Sequence, residues 1–192
     1  MVKAKIQIVQ FRRKRERKTN YKKRISLLTS GKPRIVIRKS VCNINIQIIG
    51  YSPEGDNVLA SANSKDLVKF GYSLNRGNIP AAYLTGLLLG QKAKKKAVKE
   101  AIVDAGLNIH VKGSRIYAAL KGVVDSGLKV PCSEDIFPSE ERISGAHISN
   151  YAEKLKKENM EMYKKQFSSY IKKNTEDVKK QFNDIKDKIM KV

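Results

Sequence analysis

The chain has no tryptophan, two cysteines and two histidines among its 192 residues, and each scarcity closes a class of chemistry. Cys42 and Cys132 stand ninety residues apart. That is neither a disulfide framework nor a zinc spacing, and it reads as two reduced thiols of a cytosolic protein. His110 and His147 have no Cys, Asp or Glu at ligand spacing, so neither reads as a metal ligand or a general base. Glu140 and Glu141 are adjacent and point apart on a helix, which is no carboxylate dyad. Ser30-Gly31-Lys32 is no phosphate loop, because Pro33 stands at the magnesium Ser/Thr and Ser26 at the first glycine. The longest apolar run, Ile79 to Gly90, falls short of the roughly 18–20 residues of a membrane span. Lys3, Lys5 and Gln7 break the apolar start, so no signal peptide is visible. These absences argue against an enzyme. No catalytic residue, no metal, no cofactor, no small-molecule substrate and no membrane are expected.

Acid is the other shortage, and it is local. The formal charge is +22. Residues 1–39 carry fifteen Lys/Arg and one acid, Glu16, whereas residues 40–149 carry thirteen against ten. A balanced globular middle thus follows a polycationic arm. Unpaired charge does not leave water cheaply, so the arm needs solvent or a polyanion. Lys and Arg that neutralise phosphates release condensed counterions. Arg guanidinium and Tyr21 can also stack on bases. An arm this basic is a candidate for folding only on its partner.

Local patterns give a mixed α/β fold. Arg34–Ser40 reads as a strand, with Ile35 and Ile37 on one face and Arg34, Val36 and Arg38 on the other. Ile44–Tyr51 and Asn57–Asn63 are the next strands, joined by a turn at Pro53 and Gly55. They make an antiparallel three-stranded meander with one free face. A short additional strand is expected at Ala101–Val103. Two packed helices are expected from Asn78 to about Lys96, capped by Asn78 with Pro80 in its first turn, and from Ser114 to Ser126. Residues 12–29 read as a basic helix, or as one that restarts at Tyr21 behind an Asn20 cap; residues 1–11 read as a tail or short strand. Gly86 and Gly90 suggest close packing of the first long helix on the sheet.

The expected units are a basic N-terminal arm at 1–29, an α/β core at 30–130, a surface segment at 131–149 and a helical C-terminal extension at 150–192. Two stripes mark the extension as docking surface: Tyr163, Phe167 and Tyr170, then Val178, Phe182, Ile185 and Ile189. A break is expected at Asn174 and Thr175. The loop His110 to Arg115 opens a helix, so its N–H groups, Lys112 and Arg115 are candidates to hold an anion.

Several stretches together resemble one family. They are FRRKRERKTNYKK (11–23), SGKPRIVIRKS (30–40), YSPEGDNVLASANS (51–64), GNIPAAYLTGLLLG (77–90), GSRIYAALKGVVDSG (113–127) and FPSEERISG (137–145). In this order they resemble large-subunit ribosomal protein eighteen of archaeal type. The resemblance implies a cytoplasmic, ribosome-bound protein. It would bind 5S rRNA and help attach it to the large-subunit rRNA in the central protuberance, beside neighbouring large-subunit ribosomal proteins. It places RNA contacts on Arg12, Arg13, Arg15, Lys18, Thr19, Tyr21, Arg24, Lys32, Arg34, Arg38, Ser40 and Arg115; charge and position add Lys23 and Lys112. The chain departs from the family where Arg17 and Ala97 stand at frequent glycines, where Asn20 replaces a frequent Asp, and where Val41-Cys42-Asn43 replaces an Asn-Lys-His type of turn. The alternative reading is an architectural double-stranded DNA-binding protein.

Overall fold

A computed structural model describes residues 9–172 and 177–191. The expected tail at 1–11 and the break at Asn174 and Thr175 lie largely or wholly outside them. Two short helices open the chain, α1 (Arg12–Arg15) and α2 (Tyr21–Leu28). The Asn20 side chain accepts from Lys23 N at 3.1 Å, so the helix does restart at Tyr21. Strands β1 (Arg34–Lys39), β2 (Ile44–Ser52) and β3 (Gly55–Asn63) follow as an antiparallel meander. Next come α3 (Ile79–Lys95), β4 (Ile102–Asp104) and α4 (Arg115–Asp125). Strand β4 adds to the outer edge of β1 in parallel, giving the order β3-β2-β1-β4.

The register decides what each face can do. Ile35 lies opposite Ile48, and Ile37 opposite Ile46; Ile46 and Ile48 lie opposite Ala62 and Ala60. All six are buried and belong to one core with Leu84, Leu87 and Leu88 of α3 and Ala119, Leu120 and Val123 of α4. Alternation therefore sends Arg34, Val36 and Arg38 to the other face. Asn78 starts α3 as expected, accepting from Ala81 N at 2.9 Å. Gly86 serves the packing of α3 against α4 rather than against the sheet. A Cβ there would run into the Ala119 carbonyl, and one at Gly122 into the Tyr83 carbonyl.

Among the described residues the C-terminal extension is helical: α6 (Ala146–Glu158), α7 (Met160–Gln166), α8 (Ser168–Lys172) and α9 (Val178–Met190) follow the short α5 (Glu140–Ser144). Val178, Phe182, Ile185 and Ile189 are all buried in the main core, with the Phe182 ring 5.7 Å from Tyr83 of α3. Tyr163 and Phe167 stack at 5.4 Å in a second, smaller cluster with Leu155. Both stripes are thus internal docking surfaces.

The two glycine departures share one geometry. Among the described residues, Arg17 and Ala97 are the non-glycine residues at positive φ, 52° and 55°. Each follows a helix end. Arg17 N donates to Lys14 O and Lys18 N to Arg13 O; Ala97 N donates to Lys94 O and Val98 N to Ala93 O. That is the double hydrogen bond of a Schellman ending, whose left-handed residue is usually glycine. An L side chain there costs about 1–2 kcal/mol, partly offset by the greater unfolded-state freedom of glycine. Ala97→Gly should therefore raise stability by about 0.5–1 kcal/mol, read as a rise of about 2–4 °C in Tm per kcal/mol.

Candidate nucleic-acid interface

The arm folds onto the free face of the sheet, and ion pairs hold it there. Arg24 Nη2 of α2 donates to Asp56 Oδ2 at 2.8 Å. The same carboxylate oxygen lies 3.0 Å from Arg34 Nη2. Arg34 Nη1 donates to Asp104 Oδ2 at 3.2 Å. Asp104 Oδ1 in turn takes Arg38 Nη2 at 3.4 Å, and Asp104 O takes Arg38 Nη1 at 2.8 Å. The result is an alternating row, Arg24–Asp56–Arg34–Asp104–Arg38. It joins α2, the start of β3, β1 and β4. Lys23 Nζ adds a bond to Gly106 O at 3.3 Å and lies 3.4 Å from His110 Nε2.

Arg34 is the member whose place differs from expectation. It is only 2% exposed, so its guanidinium faces the two carboxylates and not solvent. Its Nη2 sits off the hydrogen-bonding line to Asp56, and its Nε is buried without a protein partner. Alternation assigned it to the correct face, but that face is covered here. It cannot meet a phosphate without displacing Asp56 or Asp104. Arg38, two residues on, is different: its side chain is 47% exposed.

Upstream, the arm is prearranged by short contacts. Arg12 Nε and Lys18 Nζ both reach Glu16, at 2.8 Å each. Lys18 and then Arg12 hold the Glu16 carboxyl below the usual carboxylate range. Arg13 Nε donates to Thr19 Oγ1 at 2.9 Å, and Arg15 is exposed. The Tyr21 ring packs 5.3 Å from Phe11, which is itself 72% exposed. Phe11 was not among the expected contacts; its signal is an aromatic directly ahead of the basic run. Asp56 and Asp104 were also missed, because their partners lie 22 to 70 residues away in the chain.

The structure thus brings Arg12, Arg13, Arg15, Lys18, Thr19, Tyr21, Lys23, Arg24 and Arg38 into one region. Lys32 is turned to Glu100, 2.8 Å away. Ser40 locks its own turn, accepting from Asn43 N at 3.0 Å and donating to Asn43 O at 2.9 Å. Arg115 Nη1 is occupied by the carbonyls of Gly77, Ser40 and Val41, at 2.8, 3.2 and 3.4 Å. It therefore braces the β1–β2 turn instead of standing at an anion-binding helix start; Lys112 in that loop stays exposed. His110 Nδ1 lies 2.8 Å from Tyr117 OH, so this ring is engaged by protein on both nitrogens. Among the described residues no group of His, Cys, Asp and Glu could hold a metal, and no helix is long and apolar enough to cross a membrane.

Two outcomes follow from the ion row. Removing one partner of a buried ion pair costs about 3–5 kcal/mol. Arg34→Ala should lower the unfolding free energy by about that much in denaturant titration, while Arg38→Ala should cost far less. Asp56 supplies the second. Burial pushes its carboxyl up, but the hydrogen bond from Arg24 and the positive charge of Arg34 beside it outweigh this and leave it below its ordinary value. A depressed folded-state value adds stability above the unfolded pKa and loses it as pH falls through the folded one. Thermal scans should show Tm falling below about pH 4, and Asp56→Asn should flatten part of that fall.

Similarity to known proteins agrees with this geometry. A family model described as ribosomal large subunit proteins 60S L5 and 50S L18 matches residues 5–101, which takes in the arm, the meander and α3. The chain is also 55% identical to large ribosomal subunit protein uL18 of Methanococcus maripaludis over 163 residues, 85% of this chain and 84% of that one.

Proposed function

Since this chain belongs to the family of ribosomal large subunit proteins 60S L5 and 50S L18, a structural ribosomal protein and not an enzyme, we propose that it binds 5S rRNA through its N-terminal arm and the adjoining open sheet face. In that role it helps attach 5S rRNA to the large-subunit rRNA in the central protuberance, next to neighbouring ribosomal proteins. One observation carries the reading: a cationic arm is held by ion pairs against a rigid sheet, and most of its charge is left pointing outward. Arg12, Arg13, Arg15, Lys18 and Lys23 supply phosphate contacts, Arg24 and Arg38 share themselves between carboxylates and RNA, and Thr19 orients Arg13. The Phe11–Tyr21 pair offers an apolar ring surface to unstacked bases, which folded RNA presents and duplex DNA does not. Arg34, Arg115 and Ser40 act by holding the scaffold, and Lys32 and Lys112 lie at its margin.

The geometry also weighs against an architectural DNA binder. Neither α1, of four residues, nor α2, of eight, offers a long exposed recognition helix of the kind that enters a major groove. Salt dependence makes the test quantitative. Each phosphate contact adds about 0.7–0.9 to the slope of log K against log salt. Replacing Arg12, Arg13, Arg15 and Lys18 together by Ala should lower that slope by about 3, without changing Tm. In competition at matched salt, 5S rRNA should displace random duplex DNA from the native chain. Equal competition by the duplex would overturn the reading in favour of a DNA architectural role.

A further inference from the structure

Between α2 and the segment after β4 lies a hollow of ≈ 160 Å³, lined by Arg13, Lys18, Lys23, Arg24 and Arg38. It is smaller than the roughly 300–1,000 Å³ of a small-molecule pocket, and its charge excludes an apolar occupant. Five cations converge on it, with Asp104 the acid in its lining. Each still has donors to give. A Lys ammonium has three donors and a guanidinium five. Arg38 uses both hydrogens of Nη1, on Ile37 O at 3.0 Å and Asp104 O at 2.8 Å, and one of Nη2, on Asp104 Oδ1. Its end-on edge is therefore turned to Asp104. The side edge, Nε–H with the second Nη2–H, remains unspent, and that edge matches two oxygens of one phosphate.

Asp104 and Gly106 fix this orientation from below. Asp104 Oδ1 also accepts from Gly106 N at 2.8 Å, closing the turn beneath the guanidinium. Gly106 has φ +62°, and a Cβ built on it would lie 2.9 Å from Arg38 Cζ. The guanidinium plane thus rests on bare backbone, and a side chain there would push it out of this position.

We propose that this hollow seats a single backbone phosphate of the RNA, with Arg38 as its bidentate ligand and Asp104 and Gly106 as the positioning residues that aim it. The assignment rests on the RNA-binding reading above and adds a point of register to it. An arm that only neutralises charge can slide along a polyanion. One phosphate locked in a fixed fork cannot.

The test uses the full chain and 5S rRNA. Arg38→Lys keeps the charge and removes the fork. It should weaken binding about tenfold, with the salt slope unchanged within about 1. Asp104→Asn removes a negative charge from a polyanion-binding face, so charge alone predicts tighter binding, whereas loss of aim predicts weaker binding; Glu54→Gln, in the exposed turn between β2 and β3, is the charge-matched control. Asp104 also holds Arg34, so Gly106→Ala is the second variant, with Tm followed for both. Phosphate-ethylation interference should then reveal one or two adjacent phosphates whose modification blocks the native chain and is silent with Arg38→Ala. Identical interference maps, undiminished binding by Arg38→Lys, or tighter binding by Asp104→Asn would overturn the seat. Failure of the native chain to prefer 5S rRNA would instead overturn the parent reading.

Discussion

The structure depends on placing Arg34 where almost no water reaches it, between two carboxylates. A buried guanidinium is tolerated only if its charge is answered close by. Here Asp56 and Asp104 answer it, at 3.0 and 3.2 Å. Each of these acids has capacity left, and the cations that use it are Arg24 on one side and Arg38 on the other. One buried charge therefore sets the position of two partly exposed ones. That is how a helix with no buried residue, α2, acquires a fixed seat on a sheet. Hydrophobic contact alone would not supply it, since Tyr21, Leu27 and Leu28 are only half-buried and Ile25 is 64% exposed.

This arrangement resolves a conflict within the arm. Thirteen Lys/Arg lie between residues 12 and 39, and like charges at that density repel one another. Left alone, they would hold the chain away from the core. Four acids offset the repulsion: Glu16 within the arm, Asp56 and Asp104 beneath it, and Glu100 opposite Lys32. They leave a division of labour. Arg34 is spent entirely inside, Arg24 and Arg38 are shared, and Arg12, Arg13, Arg15 and Lys18 remain largely for the partner. Only the last group contributes fully to counterion release, so formal charge overstates the binding capacity of the face.

Much of the fold was legible from local pattern. Period-two alternation placed β1 and β2 and assigned their faces correctly. The Asn78 cap and Pro80 placed the start of α3. The stripe Val178, Phe182, Ile185 and Ile189 announced a buried helix face. What could not be read was the cover on the second sheet face. Alternation says which way Arg34 points, not what lies over it, and its partners sit on the two edge strands, β3 and β4, far along the chain. Arg115 was misjudged for the same reason. A basic residue at a helix start looks like an anion site, until the β1–β2 turn and the loop ahead of α3 bring three carbonyls to it. The target of Gly86 was equally non-local. The spacing shows that something approaches closely, but only the tertiary contact shows that it is the backbone of α4. The site was thus readable as a charge distribution and not as a set of distances.

That distinction matters for recognition. Counterion release is blind to the identity of the polyanion, and a flexible run of lysines would bind duplex, single strand or heparin with similar salt slopes. Discrimination requires that some donors be held still relative to others. In this chain the donors at 12–18 are tied together by Glu16 and Thr19, and Arg38 is tied to the sheet by Asp104. Between the two groups runs α2, fixed by Asn20 at its start and by Asp56 through Arg24. The acids therefore do more than reduce the charge. By spending part of it they hold the distance between the two groups of free donors constant, and a constant distance is what a folded RNA of fixed phosphate spacing can match and a random polyanion cannot.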